Sequence, residues 1–166
     1  MKYYLDTEFY EDGRTIDLIS IGIACEDGRR FYAINEDAEL HRVSDWVRTN
    51  VLPQLPSFVD SKWMRRTTIR EAVRAFTSYG SEKPEFWAYY ADYDWVVLCQ
   101  LFGTMMDLPA YMPKFCMDLK QLAVSKGNPE LPKQESGEHN ALEDACWNMR
   151  VHAFLESYIP SVKIVL

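Results

Sequence analysis

Two carboxylates lie two residues apart near the N-terminus, Asp6 and Glu8, directly after the short apolar run of residues 3–5. In an extended strand, residues two apart point to the same face, so these side chains would lie side by side. Two such carboxylates resist ionising together unless a cation lies between them, and hard oxygen ligands suit Mg²⁺ or Mn²⁺. The pair therefore indicates a metal site, although taken alone it also fits a polar strand end in solvent.

A second set of chemically suitable residues stands at the start of the last predicted helix. Asn140 and Glu143 fit a capping box, with Asn140 as the N-cap and Glu143 as the third helical residue. His139 would then precede the helix and Asp144 would lie in its first full turn. Because His139 is on the loop, both side chains can face one site. The alternative for His139 is an ordinary polar residue at a helix entry.

A third acid is expected where a predicted strand gives way to a helix, within residues 88–98. Two residues compete for this role. Asp92 is well placed to be the N-cap of the helix, which is a structural role. Asp94 lies further into the helix and is free to point into a cleft, so we predict that Asp94 is the functional acid.

The elements that must position these residues begin with a three-strand antiparallel meander. Asp12-Gly13 and Asp27-Gly28 are both hairpin signals. Between them, residues 16–25 alternate bulky isoleucines with small residues, which predicts a strand with one bulky face and one small face. Residues 31–34 continue the pattern, so Asp6 and Glu8 fall on the first strand of the meander.

Helical signals follow the meander, interrupted by short strands. We predict helices over 44–51, from Thr68 to Gly80, from Asp92 or Tyr93 to Leu101, over 118–125 and over 141–158, strands over 85–90 and 115–117, and a mobile loop over 127–137. A meander followed by α/β units predicts an α/β protein with a mixed sheet and helices on its faces.

Composition narrows the class of protein. The 166 residues suit a single domain over 1–166, and 48% hydrophobic and 26% charged residues are typical of soluble globular proteins. The net charge of −7 argues against binding of nucleic acid through bulk positive charge, but permits a small enzyme that acts on a nucleic-acid end. The four cysteines form no Cys-x-x-Cys pair, which favours free thiols over a zinc site. Without a signal-peptide pattern or a membrane-length apolar stretch, we expect a cytoplasmic protein.

Taken together and in order, these motifs resemble those of the DEDDh 3′-5′ exonucleases. The resemblance rests on Asp6-Thr7-Glu8, on Tyr93-Asp94, and on His139 with Asp144 five residues later. Within that superfamily the chain is most similar to the small stand-alone exoribonucleases of mycobacteria and phages, which share its residues 6–9 and 97–103. The chain departs from many members at Tyr89-Tyr90 and Tyr93, and this departure keeps the choice between Asp92 and Asp94 open.

The resemblance implies an RNase H-like mixed β-sheet with helices on both faces and a metal-dependent 3′-5′ exoribonuclease activity that releases nucleoside 5′-monophosphates. It implies two Mg²⁺ or Mn²⁺ ions per site, and His139 as general base for the attacking water. The ions would be held by four acids, Asp6, Glu8, Asp94 and Asp144, which with His139 make up the predicted catalytic set. The expected partner is nucleic acid with a free 3′ end, RNA favoured over DNA, and relatives that are often dimers suggest a homodimer.

Substrate contacts are less specified by the sequence. The candidates are Thr7, Phe9, Trp95 and His139. Aromatic rings at Phe9 and Trp95 could stack on bases, with core packing as the alternative for both. A basic cluster could follow a phosphate backbone or form a solvated helix face: Lys62, Arg65, Arg66, Arg70 and Arg74. The apolar tail, residues 161–166, could pair with a sheet or a partner chain.

Two other functions fit the same residues. A DNA exonuclease would use the same site, because recognition of the 2′-hydroxyl depends on pocket geometry. A non-catalytic nucleic-acid-binding domain on the same fold would not need four acids and a histidine, so the complete set argues against it.

Overall fold

The computed structural model describes residues 1–80 and 82–159. Within them, six strands form one sheet: β1 (Lys2–Glu11), β2 (Ile16–Cys25), β3 (Arg30–Asn35), β4 (Trp63–Met64), β5 (Glu85–Ala88) and β6 (Met117–Asp118). The described α-helices are α1 (Asp45–Asn50), α2 (Arg66–Thr77), α3 (Ala91–Phe102), α4 (Leu119–Ser125) and α5 (Ala141–Ser157). No helix in this part of the chain has the length and apolar character needed to cross a membrane. The apolar tail singled out in the sequence lies outside the described residues.

The sheet has the order β4-β3-β2-β1-β5-β6. Strands β1, β2 and β3 are antiparallel neighbours, which confirms the predicted meander. β5 is parallel to β1 and β6 is parallel to β5, so the sheet is mixed. The carboxyl ends of β1 and β5 therefore lie at the same edge of the sheet, and so does the start of α3, which follows β5.

Helices cover both faces of the sheet, as predicted. Alternate residues of β1 point to opposite faces, and the core is divided accordingly. Tyr3 and Leu5 belong to a cluster that includes residues of α2 and α3. Tyr4 belongs to a second cluster, formed with residues of α4 and α5. Thr7 thus extends the row that faces α3, whereas Asp6 and Glu8 extend the row that faces α5.

The small face of β2 explains how α5 reaches Asp6. Gly22 pairs with Asp6 across the β1–β2 ladder. A Cβ atom built on Gly22 would lie 2.1 Å from the carbonyl oxygen of Ala141, the first residue of α5. Only a residue without a side chain permits this approach. Backbone contact at Gly22 thus sets the start of α5 directly over the strand pair that carries Asp6.

We expect Gly22→Ala to move the start of α5 and lower the rate of the reaction proposed below. Overpacking of this kind typically costs about 1–3 kcal/mol of unfolding free energy. Gly28→Ala is the matched control, because its added methyl meets open space and only its φ of 92° is strained, at about 1–2 kcal/mol. Urea unfolding and rate measurements on both variants separate the effects. Equal rates in the two variants would show that the contact at Gly22 does not position the site.

Two predicted helix starts are wrong, and both have the same physical cause. α2 begins at Arg66 rather than at the Thr68 capping box, because Asp37 Oδ2 accepts the backbone N–H of Arg66 at 2.9 Å. α3 begins at Ala91, so Asp92 is an exposed helical residue and not the N-cap. In each helix an acid distant in sequence satisfies the first N–H group.

Asp118 is the acid that replaces Asp92 at the start of α3. Its Oδ2 accepts the N–H of Ala91 at 2.7 Å, while its Oδ1 accepts the N–H of Gln121 at 2.6 Å as the N-cap of α4. Tyr90 provides no side-chain cap and adopts a left-handed backbone, with φ 59°. One carboxylate therefore caps two helices. The predicted caps Ser44 for α1 and Asn140 for α5 are confirmed as well.

Candidate active site

All five predicted catalytic residues meet at one cleft. The cleft has a volume of about 250 Å³ and lies where β1 approaches the amino ends of α3 and α5. It is lined by the four acids and the histidine together with Thr7 and neighbouring aromatic residues: Asp6, Thr7, Glu8, Phe9, Tyr89, Tyr90, Tyr93, Asp94, His139 and Asp144. Asp92, the competing acid, does not line the cleft. The structure thus brings together residues that are up to 138 positions apart in the chain, from Asp6 to Asp144.

Thr7 orients Asp94. Its backbone N–H and its hydroxyl both donate to Asp94 Oδ1, at 2.8 and 2.7 Å. Asp94 is only 5% exposed, yet both of these hydrogen bonds use the same oxygen, which leaves Oδ2 for a cation. Thr7 was predicted as a substrate contact, but its buried hydroxyl is engaged with Asp94. The residue between the two acids of β1 therefore holds the acid of α3.

Asp144 is held by two hydrogen bonds from the segment that precedes α5. Gln134 Nε2 donates to Oδ1 at 2.6 Å, and the backbone N–H of His139 donates to Oδ2 at 2.9 Å. Sequence reasoning missed Gln134, because nothing in the irregular segment around it marks one amide as special. These bonds fix the orientation of the Asp144 carboxylate relative to α5.

His139 occupies an unusual backbone conformation beside the acids. Its φ of 64° lies in the left-handed region, which few residues other than glycine adopt. Its ring packs edge-on against Trp46, with the ring centroids 4.9 Å apart. Ligand atoms of Glu8, His139 and Asp144 all lie within 4.8 Å of one another. His139 is therefore close enough either to share a cation with these acids or to accept a proton from a water molecule between them.

Asn148 ties the helix that carries Asp144 to the strand that carries Asp6. Its side chain is buried, and Nδ2 donates to the carbonyl oxygen of Leu5 at 2.9 Å. Asn148 lies one helical turn after Asp144, and Leu5 immediately precedes Asp6. Sequence reasoning missed this residue too, although a polar side chain among the apolar positions of α5 is a signal that a buried partner exists.

Burial and mutual repulsion raise the pKa values of the carboxylates in the cleft. Burial raises the pKa of Asp6 well above its usual value, and the neighbouring carboxylates of Asp94, Asp144 and Glu8 raise it further. Burial and the same repulsion raise the pKa of Glu8 to about 8. Burial also raises the pKa of Asp94 to about 7, against the lowering effect of the Thr7 hydrogen bonds. Burial likewise raises the pKa of Asp144.

The residues present fit a divalent cation. Among the described residues, no Lys, Arg or His side chain lies within 4.0 Å of a carboxylate oxygen of Asp6, Glu8, Asp94 or Asp144 in an ion pair. Oxygen ligands of this type suit Mg²⁺ and Mn²⁺. A divalent cation would balance the charge of these four carboxylates.

The raised pKa values of Glu8 and Asp94 predict how the stability of the metal-free protein changes with pH. Glu8 and Asp94 have folded-state pKa values of about 8 and 7, above the usual range near 4 for unfolded chains. The folded state then binds more protons than the unfolded state between about pH 4 and 8, so its unfolding free energy falls as pH rises through that window. Thermal unfolding in chelator at pH 5, 6, 7 and 8 measures the slope, and added Mg²⁺ should flatten it. A metal-free protein that gains stability from pH 5 to 8 would contradict the expectation.

Of the two aromatic residues predicted to contact substrate, Phe9 lines the cleft and Trp95 lies in the core. Phe9 stacks on Tyr93, with the ring centroids 5.4 Å apart and the planes 7° from parallel, and both rings line the cleft. Trp95 is 8% exposed and packs against Phe86, at 5.3 Å between ring centroids. The predicted substrate contact at Trp95 is therefore wrong, because its ring belongs to the hydrophobic core.

The basic cluster of the sequence is paired with acids, which favours a solvated helix face over a phosphate track. Each of its five members has a carboxylate partner within 4.0 Å. The pairs are Lys62–Asp60, Arg65–Glu36, Arg66–Asp17, Arg70–Glu71 and Arg74–Glu71. Their positive charge is balanced locally, so little remains to attract a polyanion.

The site combines two acids on the first strand of a mixed sheet, one acid on a later helix, and a histidine and an acid at the start of the last helix. This combination defines the DEDDh class of 3′-5′ exonucleases. The chain belongs to the Rv2179c-like family, described as the 3′-5′ exoribonuclease Rv2179c-like domain, which it matches over residues 1–155. It is 44% identical over 146 residues to the 3′-5′ exoribonuclease Rv2179c of Mycobacterium tuberculosis H37Rv, a match that covers 87% of each chain. The predicted family is confirmed.

Solved structures of the same architecture confirm the RNase H-like fold. The nuclease domain of 3′hExo, a DEDDh family member bound to rAMP, aligns with a TM-score of 0.59 at 13% identity, over 93% of this chain and 90% of that one. Pop2p of S. pombe, in a form with Mg²⁺ and Mn²⁺ bound, aligns with a TM-score of 0.56 at 14% identity, over 93% and 81% of the two chains.

Proposed function

We propose that this chain removes nucleoside 5′-monophosphates from the 3′ end of RNA, with two Mg²⁺ or Mn²⁺ ions held by Asp6, Glu8, Asp94 and Asp144. The observation that carries the proposal is the convergence of these four carboxylates, with raised pKa values, on one cleft beside His139. RNA is chosen because the similar mycobacterial protein is named an exoribonuclease.

Each group of the chain has a distinct task in this reaction. Bound ions would supply the charge that stabilises the attacked phosphate and the departing 3′ oxygen. His139 takes the proton from the attacking water, as a general base within reach of the acids. Thr7 and Gln134 keep the carboxylates of Asp94 and Asp144 oriented through their hydrogen bonds. Their tasks are to position ligands and do not include contact with the reacting atoms.

Aromatic rings on two sides of the cleft, the half-buried Phe9 and the exposed Tyr93 and Trp46, suit the bases of the substrate. Phe9 and Tyr93 form a stacked pair on the α3 side, and Trp46, 56% exposed, projects beside His139 from α1. Stacking on such rings is worth about 1–3 kcal/mol per base and tolerates any sequence. These contacts would hold the last bases of a strand without selecting among them.

A polar groove beside His139 supports a preference for RNA over DNA. The groove has a volume of about 460 Å³, and its lining includes the hydroxyl and amide groups of Thr49, Asn50, Gln54 and Ser136 as well as the acids Glu135 and Glu138. Hydroxyl and amide groups of this kind can bond to a ribose 2′-hydroxyl, which DNA lacks. We therefore propose that the ribose of the 3′-terminal nucleotide lies at this groove and that RNA is cleaved faster than DNA of the same sequence.

The proposal predicts cleavage only from a free 3′ end, in the presence of a divalent metal. RNA and DNA of equal sequence, labelled at the 5′ end, should shorten one nucleotide at a time with Mg²⁺ or Mn²⁺ and stay intact in chelator. A 3′-phosphate or a circular strand should resist. Full activity after exhaustive chelation would contradict the proposed metal dependence. Rapid cleavage of a circular strand would indicate an endonuclease.

We also propose a homodimer, because the sequence resembles enzymes that are often dimeric. Light scattering after gel filtration, over a range of protein concentrations, tests this directly. A mass equal to that of one chain at every concentration would reject it.

A further inference from the structure

The cleft that contains the acids opens into a larger cavity along the segment between α4 and α5. This cavity has a volume of about 540 Å³, and its lining includes Asp6, Asp144, Glu138 and Lys133. A third cavity, of about 370 Å³, continues from it, with Pro132 and Lys133 in both linings and Arg150 added. A continuous surface therefore leads from the acids past Lys133 to Arg150.

Lys133 and Arg150 differ from the basic cluster of residues 62–74, whose members are paired with acids. Within residues 1–80 and 82–159, neither side chain has a carboxylate oxygen within 4.0 Å. Glu135 and Glu143 line the same cavity as the two cations, but do not form ion pairs with them. The positive charge of these two residues remains available to an anionic ligand.

The backbone positions of both cations are fixed relative to the acids of the cleft. Arg150 is part of α5, the helix that carries Asp144. Lys133 stands between two residues bonded to the same helix: the carbonyl oxygen of Pro132 accepts Trp147 Nε1 at 2.8 Å, and Gln134 donates to Asp144. The backbone on each side of Lys133 is thus held to α5, and its exposed side chain extends from this anchored position.

We infer that Lys133 and Arg150 form a subsite for backbone phosphates of the RNA strand, on the 5′ side of the bond that is cleaved. The inference rests on the proposed function, which places the cleaved phosphate at the acids. A strand longer than a dinucleotide must continue out of the cleft, and this surface is contiguous with the acids and carries free cations. Each phosphate bound there would release counterions, so binding should weaken with salt.

The test compares Lys133→Gln, Arg150→Gln and the double variant with wild type on a hexaribonucleotide and a diribonucleotide. kcat/KM for release of the first nucleotide is measured over a series of KCl concentrations with Mg²⁺ fixed. The slope of log kcat/KM against log [KCl] for the hexamer should become shallower by about 0.7 for each variant, the value expected for one lost phosphate contact on a single strand. The loss of kcat/KM should be several-fold larger for the hexamer than for the dinucleotide.

Lys83→Gln is the matched control, because it removes the same charge at the opposite end of the strands. Lys83 precedes β5, whose first residue Glu85 pairs with Lys2 at the amino end of β1, away from the acids. Wild-type salt slopes in the Lys133 and Arg150 variants, or equal losses on the two substrates, would overturn the subsite. A wild-type enzyme that cleaves neither RNA would instead overturn the proposed function, so the two failures are distinguishable.

Discussion

Asp94→Asn will reduce turnover by at least about 10³-fold, because loss of one acidic ligand removes several kcal/mol of metal-dependent stabilisation. Asparagine keeps the side-chain oxygen that accepts the two Thr7 hydrogen bonds, so the local structure should survive. The variant also removes one of four carboxylates that repel one another. We therefore expect the metal-free protein to be at least as stable as wild type, which thermal unfolding in chelator measures.

Asp92→Asn is the matched control for this experiment. Asp92 lies two residues earlier in the same helix, carries the same charge and is exposed to solvent. Its substitution should change stability by about 0.3–1 kcal/mol, through the weaker interaction with the helix amino end, and leave turnover near that of wild type. If Asp92→Asn abolished turnover in a folded protein while Asp94→Asn did not, the assignment of the third acid would be reversed.

Substitution of His139 should lower the rate by about 10²–10⁴-fold, the usual contribution of a general base, while metal binding persists. Because His139 adopts a left-handed backbone, an ordinary replacement would add strain at the same position. His139→Asn and His139→Gly avoid this, since both residues tolerate that conformation. Similar rate losses in the two variants would assign the effect to the lost imidazole rather than to the backbone.

Calorimetric metal titration and single-turnover cleavage on the same samples decide between two roles for His139. The side chain lies close enough to Glu8 and Asp144 to be a ligand, so the distinction requires a binding measurement. Metal affinity near that of wild type with a large rate loss supports the general base. A proportionate loss of both would make His139 a ligand, and an unchanged rate would make it a structural residue.

The parts of the site that the sequence predicted depend on local patterns. Asp6 and Glu8 share a face because of strand periodicity, and His139 precedes a helix whose cap, Asn140, is recognisable from its neighbours. The bulky and small faces of β2 were visible in the same way. Each of these inferences uses residues within a few positions of one another, where backbone geometry alone decides the outcome.

The parts that the sequence did not predict depend on contacts between distant segments. Gln134 and Asn148 owe their roles to partners that only the folded chain places beside them. The start of α3 was misplaced because its cap comes from Asp118, 27 positions away from Ala91. Trp95 was misassigned for a related reason: it follows Asp94 directly, but successive helical residues point in different directions, and its ring turns into the core.

The close approach at Gly22 also fixes the position of the start of α5 independently of the segment that precedes it. Because the first turn of α5 rests on the backbone of β2, the spacing between Asp6 and Asp144 does not depend on the length of the segment between α4 and α5. Insertions within residues 127–130, ahead of the packed Leu131 and the anchored Pro132, should lengthen this segment without moving Asp144 away from Asp6. The connection between α4 and α5 can therefore differ in length while the backbone contact of α5 with β2 holds the acids together.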